Sequence, residues 1–265
     1  MRRKKTVIYF FLILMFCQNM AFASEKVGYY LSSQEKDLVD HVKKSIRLAE
    51  NEISNLNSDV LKIQGMSSPK VRHLLNNLCS AKNTSYLEIG CWKGATWISS
   101  LYGNRDKISN AIAVDNWSEF GGPFDQFVSN SLRFLSDHQQ YPLYSKDCFS
   151  LSLDVFSKPV NVYFYDGDHS AWSQENAFVY YNDVLNSVFV AVVDDWNYEP
   201  VQKGTRLAFK NLGYEVLFER ILPASYTGDE SQWWNGLYVA VVRKPLNERW
   251  WGDYQTGQCF TKQND

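Results

Sequence analysis

The chain has 265 residues, 45% of them hydrophobic, with 27 Lys and Arg against 29 Asp and Glu for a formal net charge of −2. That length and apolar content suit one large α/β domain with its own core. A mildly acidic chain argues against nucleic acid as a partner, and five cysteines with no C-x-x-C spacing or histidine cluster argue against a zinc site.

Arg2, Arg3, Lys4 and Lys5 precede an apolar stretch over residues 6–16, a polar break at Gln18-Asn19, and a small-residue site at Ala21-Phe22-Ala23. Residues 1–23 therefore read as a secretory signal peptide, which predicts a secreted or periplasmic protein. The apolar core is shorter than the ~20 residues of a spanning helix; an uncleaved membrane anchor is the alternative, and bulky Phe16 before Cys17 argues against lipid attachment. Without this segment, which carries four bases and no acid, the formal charge is −6. Of the remaining Cys79, Cys91, Cys148 and Cys259, the first three fall on or beside core elements and read as small apolar residues or free thiols.

The helical spacing of Leu38, Val42, Ile46, Leu48 and Ile53 predicts a helix over residues 33–57. Gly65-Met66-Ser67-Ser68-Pro69 breaks that pattern and opens a second helix through about Cys79, so residues 24–82 are expected to form an N-terminal helical lid. From 83 to 245, strand signals at 85–89, 111–114, 160–165 and 188–193 alternate with helix signals near 95–101, 124–136, 171–185 and 201–212. Such alternation predicts an α/β, Rossmann-like doubly wound sheet, mostly parallel, with helices on both faces. Residues 214–221 and 236–242 follow one another with no helix between them. They predict an antiparallel C-terminal hairpin at the sheet edge, and residues 246–265 are left as a tail.

Two runs carry the chemistry. Tyr86-Leu87-Glu88-Ile89-Gly90-Cys91-Trp92-Lys93-Gly94 and Tyr163-Phe164-Tyr165-Asp166-Gly167-Asp168-His169 each break from apolar or aromatic residues into acid and glycine, as buried parallel strands do where they deliver functional groups. Gly90 and Gly94 let a ligand approach the backbone, and the amino end of the next helix, with Thr96, can receive a carboxylate. The spacing E-x-G-x-x-x-G, with bulky Trp92 two residues after Gly90, argues against the pyrophosphate of a dinucleotide. The next strand ends in Asp115, whose carboxylate can take two ribose hydroxyls. Asp147 is either a ligand contact or a helix cap.

Asp166 with Asp194-Asp195 presents three oxygen donors suited to a hard divalent cation such as Mg²⁺. His169, three residues past Asp166, suits a general base; alternatively it caps the following helix or holds an aspartate. His41, His73 and His138 read as surface or helix-face residues. Trp172, Trp196, Trp233 and Trp234 are candidates for the walls of an aromatic acceptor pocket.

Over residues 65–243 these motifs resemble those of class I S-adenosylmethionine-dependent methyltransferases, in their small-molecule O-methyltransferase branch. The resemblance implies a seven-stranded sheet whose last strand is inserted antiparallel. It assigns Glu88, Gly90, Gly94 and Thr96 to the methionine end of S-adenosylmethionine, Asp115 to the ribose, Asn116 and Trp117 to the nucleoside pocket, and Asp147 and Cys148 to the adenine. Catechol-type enzymes hold a metal with an Asp at the fourth strand end and an Asp-Asn pair at the fifth, where this chain has Asp195 in place of Asn. Macrocin-type sugar O-methyltransferases are similar in their D-G-x-H and D-D pattern.

The implied activity is methyl transfer to a hydroxyl of a small-molecule acceptor, a phenol, catechol or sugar diol, with Mg²⁺ lowering the hydroxyl pKa and Asp166 and His169 at the reacting end. Export sits uneasily with a cofactor made inside cells; an exported, non-catalytic binding protein with the same fold is the alternative. A NAD or nucleotide-sugar enzyme is disfavoured by the missing third glycine and by the lack of a Tyr-x-x-x-Lys pair after the fourth strand.

Overall fold

Seven strands form one sheet in the order β3-β2-β1-β4-β5-β7-β6: β1 Thr84–Ile89, β2 Ile108–Asp115, β3 Leu143–Ser145, β4 Val160–Tyr165, β5 Leu185–Val193, β6 Glu215–Leu222 and β7 Leu237–Arg243. The structure, a computed structural model, describes residues 31–136 and 141–245. The expected signal peptide, the tail, His138 and Cys259 lie outside the described residues. Among the described residues no helix is long and apolar enough to cross a membrane.

The first five strands in chain order pair in parallel. Burial on both faces explains their composition, since every residue of β1 is buried and a parallel strand covered by helices on either side has no polar face to present. Alternate residues feed two cores. Leu87, Ile89, Tyr163, Tyr165, Ala191 and Val193 point toward α6, Ala171–Tyr181, and α7, Glu199–Asn211, where they meet Phe178, Tyr181 and Phe209. On the opposite face Tyr86 stacks on Trp97 of α4, Ala95–Leu101, with ring centroids 5.9 Å apart.

The N-terminal part makes α1, Ser33–Glu50, a short α2, Ser58–Leu61, and α3, Pro69–Leu78. Val39, Val42, Ile46 and Ala49 give α1 its buried stripe; α1 packs on α3, and α3 on α4. The helix expected to continue to residue 57 stops at Glu50 in a left-handed cap, with Glu52 at a φ of +54° and the Glu52 and Ile53 amides donating to Ala49 O and Leu48 O at 2.9 Å; Asn57 then caps the next helix, its side chain accepting from the Asp59 and Val60 amides. Ser68 caps α3, and Pro69 occupies the first turn, where no amide hydrogen is needed. From residues 31–82, Met66 alone reaches the cavity described below among the described residues.

Three-residue β3 carries too little pattern to be read from sequence. α6 gives way at Asn182 to a 3-10 turn, and β5 begins at Leu185, earlier than its apolar run suggested. α5 spans Phe124–Phe134. The expected hairpin is present, with β7 running antiparallel between β5 and the edge strand β6. That insertion brings the loop before β7 to the carboxyl end of β5, since Tyr238 pairs with Val193.

Candidate active site

The parallel ladder leaves four strand ends level. The Gly90 amide donates to Val114 O at 2.9 Å, the Asp166 amide to Ile89 O at 2.9 Å, and the Asp194 amide to Tyr165 O at 3.1 Å. Gly90 is required here: it has a left-handed φ of +84°, and a Cβ would sit 1.9 Å from the Asp166 carbonyl oxygen. Beyond these ends lies one cavity of about 730 Å³.

At one end of the cavity, Asp115 organises the glycine loop. Its Oδ2 accepts from the Cys91 and Trp92 amides, both at 2.8 Å, and its Oδ1 from the Trp117 amide at 2.7 Å. Aiming those amides at one carboxylate puts Trp92 and Trp117 at left-handed φ values of +41° and +49°, a cost of order 1–3 kcal/mol each that clusters at functional sites. The indoles brace the arrangement: Trp117 Nε1 donates to Trp92 O at 2.7 Å and Trp92 Nε1 to Phe120 O at 3.1 Å. A carboxylate accepts about four hydrogen bonds, so Asp115 keeps capacity for a ligand hydroxyl. Asn116 Oδ1 accepts from the Ser118 amide and hydroxyl. Asp147 both caps a 3-10 turn, accepting from the Phe149 amide at 2.9 Å, and lines the cavity with Cys148; the cap and ligand-contact readings are compatible.

The other end is acidic. Asp194 and Asp195 are 2% and 4% exposed, and both face the cavity with Asp166. Burial, then the neighbouring Asp194 and Asp195 charges, push the Asp166 carboxyl well above the usual carboxylate range. Burial and the Asp195 charge do the same to Asp194. Asp194 Oδ1 is buried with no hydrogen-bond partner. Asp195 has a φ of +58°; its Oδ2 lies 2.6 Å from His169 Nε2, and its Oδ1 accepts from Asn235 Nδ2 at 2.6 Å. That Asp195 contact chiefly raises the His169 pKa, and the ring stacks on Tyr198 at 5.7 Å. Donor atoms of Asp166, His169 and Asp195 all lie within 4.8 Å of one another.

The cavity therefore gathers Gly90, Asp115, Asn116, Trp117, Asp147, Cys148, Asp166, His169, Asp194 and Asp195. Glu88, Gly94 and Thr96 are not among its walls. Glu88 is fully buried behind the loop, its Oε1 accepting from Thr96 Oγ1 at 2.7 Å and its Oε2 from the Tyr86 hydroxyl at 2.5 Å. Thr96 thus spends its hydroxyl on Glu88. Gly94 turns the chain into α4 with a φ of +84°. The three-donor cluster contains His169 where Asp194 was expected, because the left-handed Asp195 turns its carboxylate to His169.

Trp172 and Trp234 line the cavity, whereas Trp196 is 3% exposed and stacks on Tyr238 at 4.2 Å, and Trp233 is buried. His73 is buried rather than superficial, its Nδ1 2.7 Å from Ser54 Oγ; His41 Nε2 lies 3.1 Å from Leu78 O. Cys79, Cys91 and Cys148 are free thiols. Sequence reasoning missed Asn235, Phe120 and Phe149 in the cavity wall; an Asn-Gly pair just before a strand was the one signal for the first.

Residues 87–196 match a family model described as a methyltransferase domain. No curated protein matches the chain in sequence. TrmN from Thermus thermophilus shares the fold at 12% identity and a TM-score of 0.50, over 71% of this chain and 52% of that one, so this chain spans about half of TrmN's length. An O-methyltransferase from Bacillus cereus in complex with SAH aligns at 15% identity and a TM-score of 0.44, over 83% of this chain and 94% of that one. Magnesium protoporphyrin IX methyltransferase from Synechocystis with bound SAM aligns at 12% identity and a TM-score of 0.47, over 77% and 84%.

Proposed function

We propose that residues 87–196, which match a methyltransferase-domain model, form an S-adenosylmethionine-dependent methyltransferase domain that methylates a hydroxyl of a small-molecule acceptor with the help of a divalent cation. The observation behind this reading is that one cavity joins the Asp115 loop to the cluster of Asp166, Asp194, Asp195 and His169. The glycine loop would hold the cofactor, with the remaining acceptor capacity of Asp115 serving a ribose hydroxyl and Asp147 and Cys148 serving the base.

The acidic end fits a cation. Asp194 Oδ1 is buried and unpartnered, and three carboxylates crowd into one low-dielectric space, an arrangement that positive charge relieves. Asp166 and Asp195, whose donor atoms lie together, would hold it with the unpartnered Asp194 Oδ1 adding charge beside them, and when bound a divalent ion would acidify and orient a hydroxyl. His169 is the proton acceptor. With Nε2–H given to Asp195, the Nδ1 lone pair is free of that bond and would take the acceptor hydroxyl's proton, while the cofactor, when bound, would supply the methyl group and keep the carbon–sulfur bond electrons on its sulfur. Structures assigned to RNA methylation occur among similar folds; the acidic cavity favours an acceptor without phosphates.

Calorimetric titration of the purified protein with S-adenosylmethionine, with and without Mg²⁺, tests the reading. Micromolar binding supports it; no binding in either condition leaves a methyltransferase fold acting as a binder. His169→Gln should lose turnover and keep metal affinity. Loss of metal binding instead would make His169 a ligand rather than the base.

A further inference from the structure

We propose that Asn235 is a positioning residue of this site, fixing the Asp195 carboxylate so that Asp195 in turn fixes the proton on His169. Asn235 belongs to no motif and lies far from His169 in sequence. Antiparallel insertion of β7 delivers it, because the β6–β7 loop returns to the carboxyl end of β5.

The hydrogen bonds leave the amide one orientation. Asn235 Oδ1 accepts from the Gly228 amide at 2.8 Å, so its NH₂ faces Asp195 Oδ1 at 2.6 Å. That takes one carboxylate oxygen and leaves Oδ2 for His169 Nε2 at 2.6 Å. Donation from Nε2 places the ring proton there and keeps the lone pair on Nδ1. The loop itself is anchored independently of this side chain. The Trp196 and Asn197 amides donate to Gly236 O and Asn235 O at 3.0 and 2.9 Å, Ser68 Oγ donates to Gln232 O at 2.5 Å, and Asp229 accepts from the Ser231 amide and hydroxyl. Asn235 thus adds one bond, from the Gly228 amide, to a loop held by several others, while its NH₂ fixes one oxygen of the Asp195 carboxylate, at a left-handed φ of +58°.

Two substitutions separate positioning from anchoring. Asn235→Asp keeps an oxygen for the Gly228 amide but cannot donate to Asp195; Asn235→Ala loses both bonds. Nitrogen-15 histidine spectra at alkaline pH, with the His169 signals assigned by His169→Gln, report which ring nitrogen carries the proton. The parent should show His169 protonated at Nε2. Both variants should shift it toward a tautomer mixture, Asn235→Asp at least as far as Asn235→Ala. A parent-like His169 spectrum in Asn235→Asp overturns the proposal, whether or not Asn235→Ala changes.

The catalytic consequence rests on the proposed reaction: with catechol as probe acceptor, kcat of Asn235→Asp should fall tenfold or more while S-adenosylmethionine affinity stays within twofold. An unchanged kcat overturns the proposal. If the parent methylates no acceptor, the functional reading fails and the spectra alone decide the role of Asn235.

Discussion

Glu88 sits where a methyltransferase motif places its first acid, yet it is a core residue, and its environment makes a testable statement about charge. Burial pushes its pKa from an ordinary 4.5 up to about 8, against the pull of the Thr96 and Tyr86 hydrogen bonds. Held protonated, Glu88 sits in a buried chain in which the Thr96 and Tyr86 hydroxyls donate to its carboxyl oxygens at 2.7 and 2.5 Å and Ser100 Oγ lies 3.0 Å from the Tyr86 hydroxyl, to which it donates. Because the folded chain then binds a proton the unfolded chain releases, this residue's contribution is complete below about pH 4.5 and is lost as pH rises toward about 8. At ~1.4 kcal/mol per pH unit the loss is on the order of 3–5 kcal/mol. Glu88→Gln should match the parent in urea denaturation at pH 5 and exceed its stability at pH 8. A difference between the two proteins that is the same at both pH values would mean that Glu88 is ionised in the fold.

At the scale of elements, the sheet was readable because parallel strands buried on both faces write continuous apolar runs; β1, β4 and β5 end on Glu88-Ile89-Gly90, Tyr165-Asp166 and Val193-Asp194. What escaped was set by tertiary contact. Glu88 and Thr96 carry the right residue types in the right places, but only packing decides that they face each other rather than a ligand. Asn235 reaches Asp195 through the sheet order, which no local pattern encodes. The same order ties α3 to the site. Ser68 accepts from the Val71 amide at 3.3 Å as N-cap and donates to Gln232 O of the β6–β7 loop at 2.5 Å. Ser68→Ala should therefore cost somewhat more than the ~1 kcal/mol typical of a lost cap, because the partly buried Gln232 carbonyl also loses its partner, and should quicken hydrogen exchange at the Trp196 and Asn197 amides. A loss confined to α3 would show that loop and helix are energetically separate.

For the molecule as a whole, the acidic cluster couples folding to cation binding. Asp166 and Asp194 are held with raised pKa values by burial and by carboxylate neighbours, so near neutral pH the metal-free fold carries charge repulsion that the unfolded chain does not. A cation bound only by the folded state adds stability as RT ln(1 + [L]/Kd), about 2.7 kcal/mol at a hundredfold excess over Kd, and for a chain of this size each kcal/mol moves the melting temperature by roughly 2–4 °C. Saturating Mg²⁺ should thus raise the melting temperature by about 5–10 °C, and a chelator should reverse it. Asp194→Asn removes one of the repelling charges together with the unpartnered Oδ1 acceptor. It should melt higher than the metal-free parent and gain little from Mg²⁺. Scanning calorimetry of both proteins at pH 7.5, with and without 10 mM Mg²⁺ (on the order of a hundred times a sub-millimolar Kd), checks the pair of effects. A parent insensitive to Mg²⁺, with no gain from the substitution, would separate the acidic cluster from metal binding and leave its carboxylates protonated at working pH, a different chemistry from the one proposed.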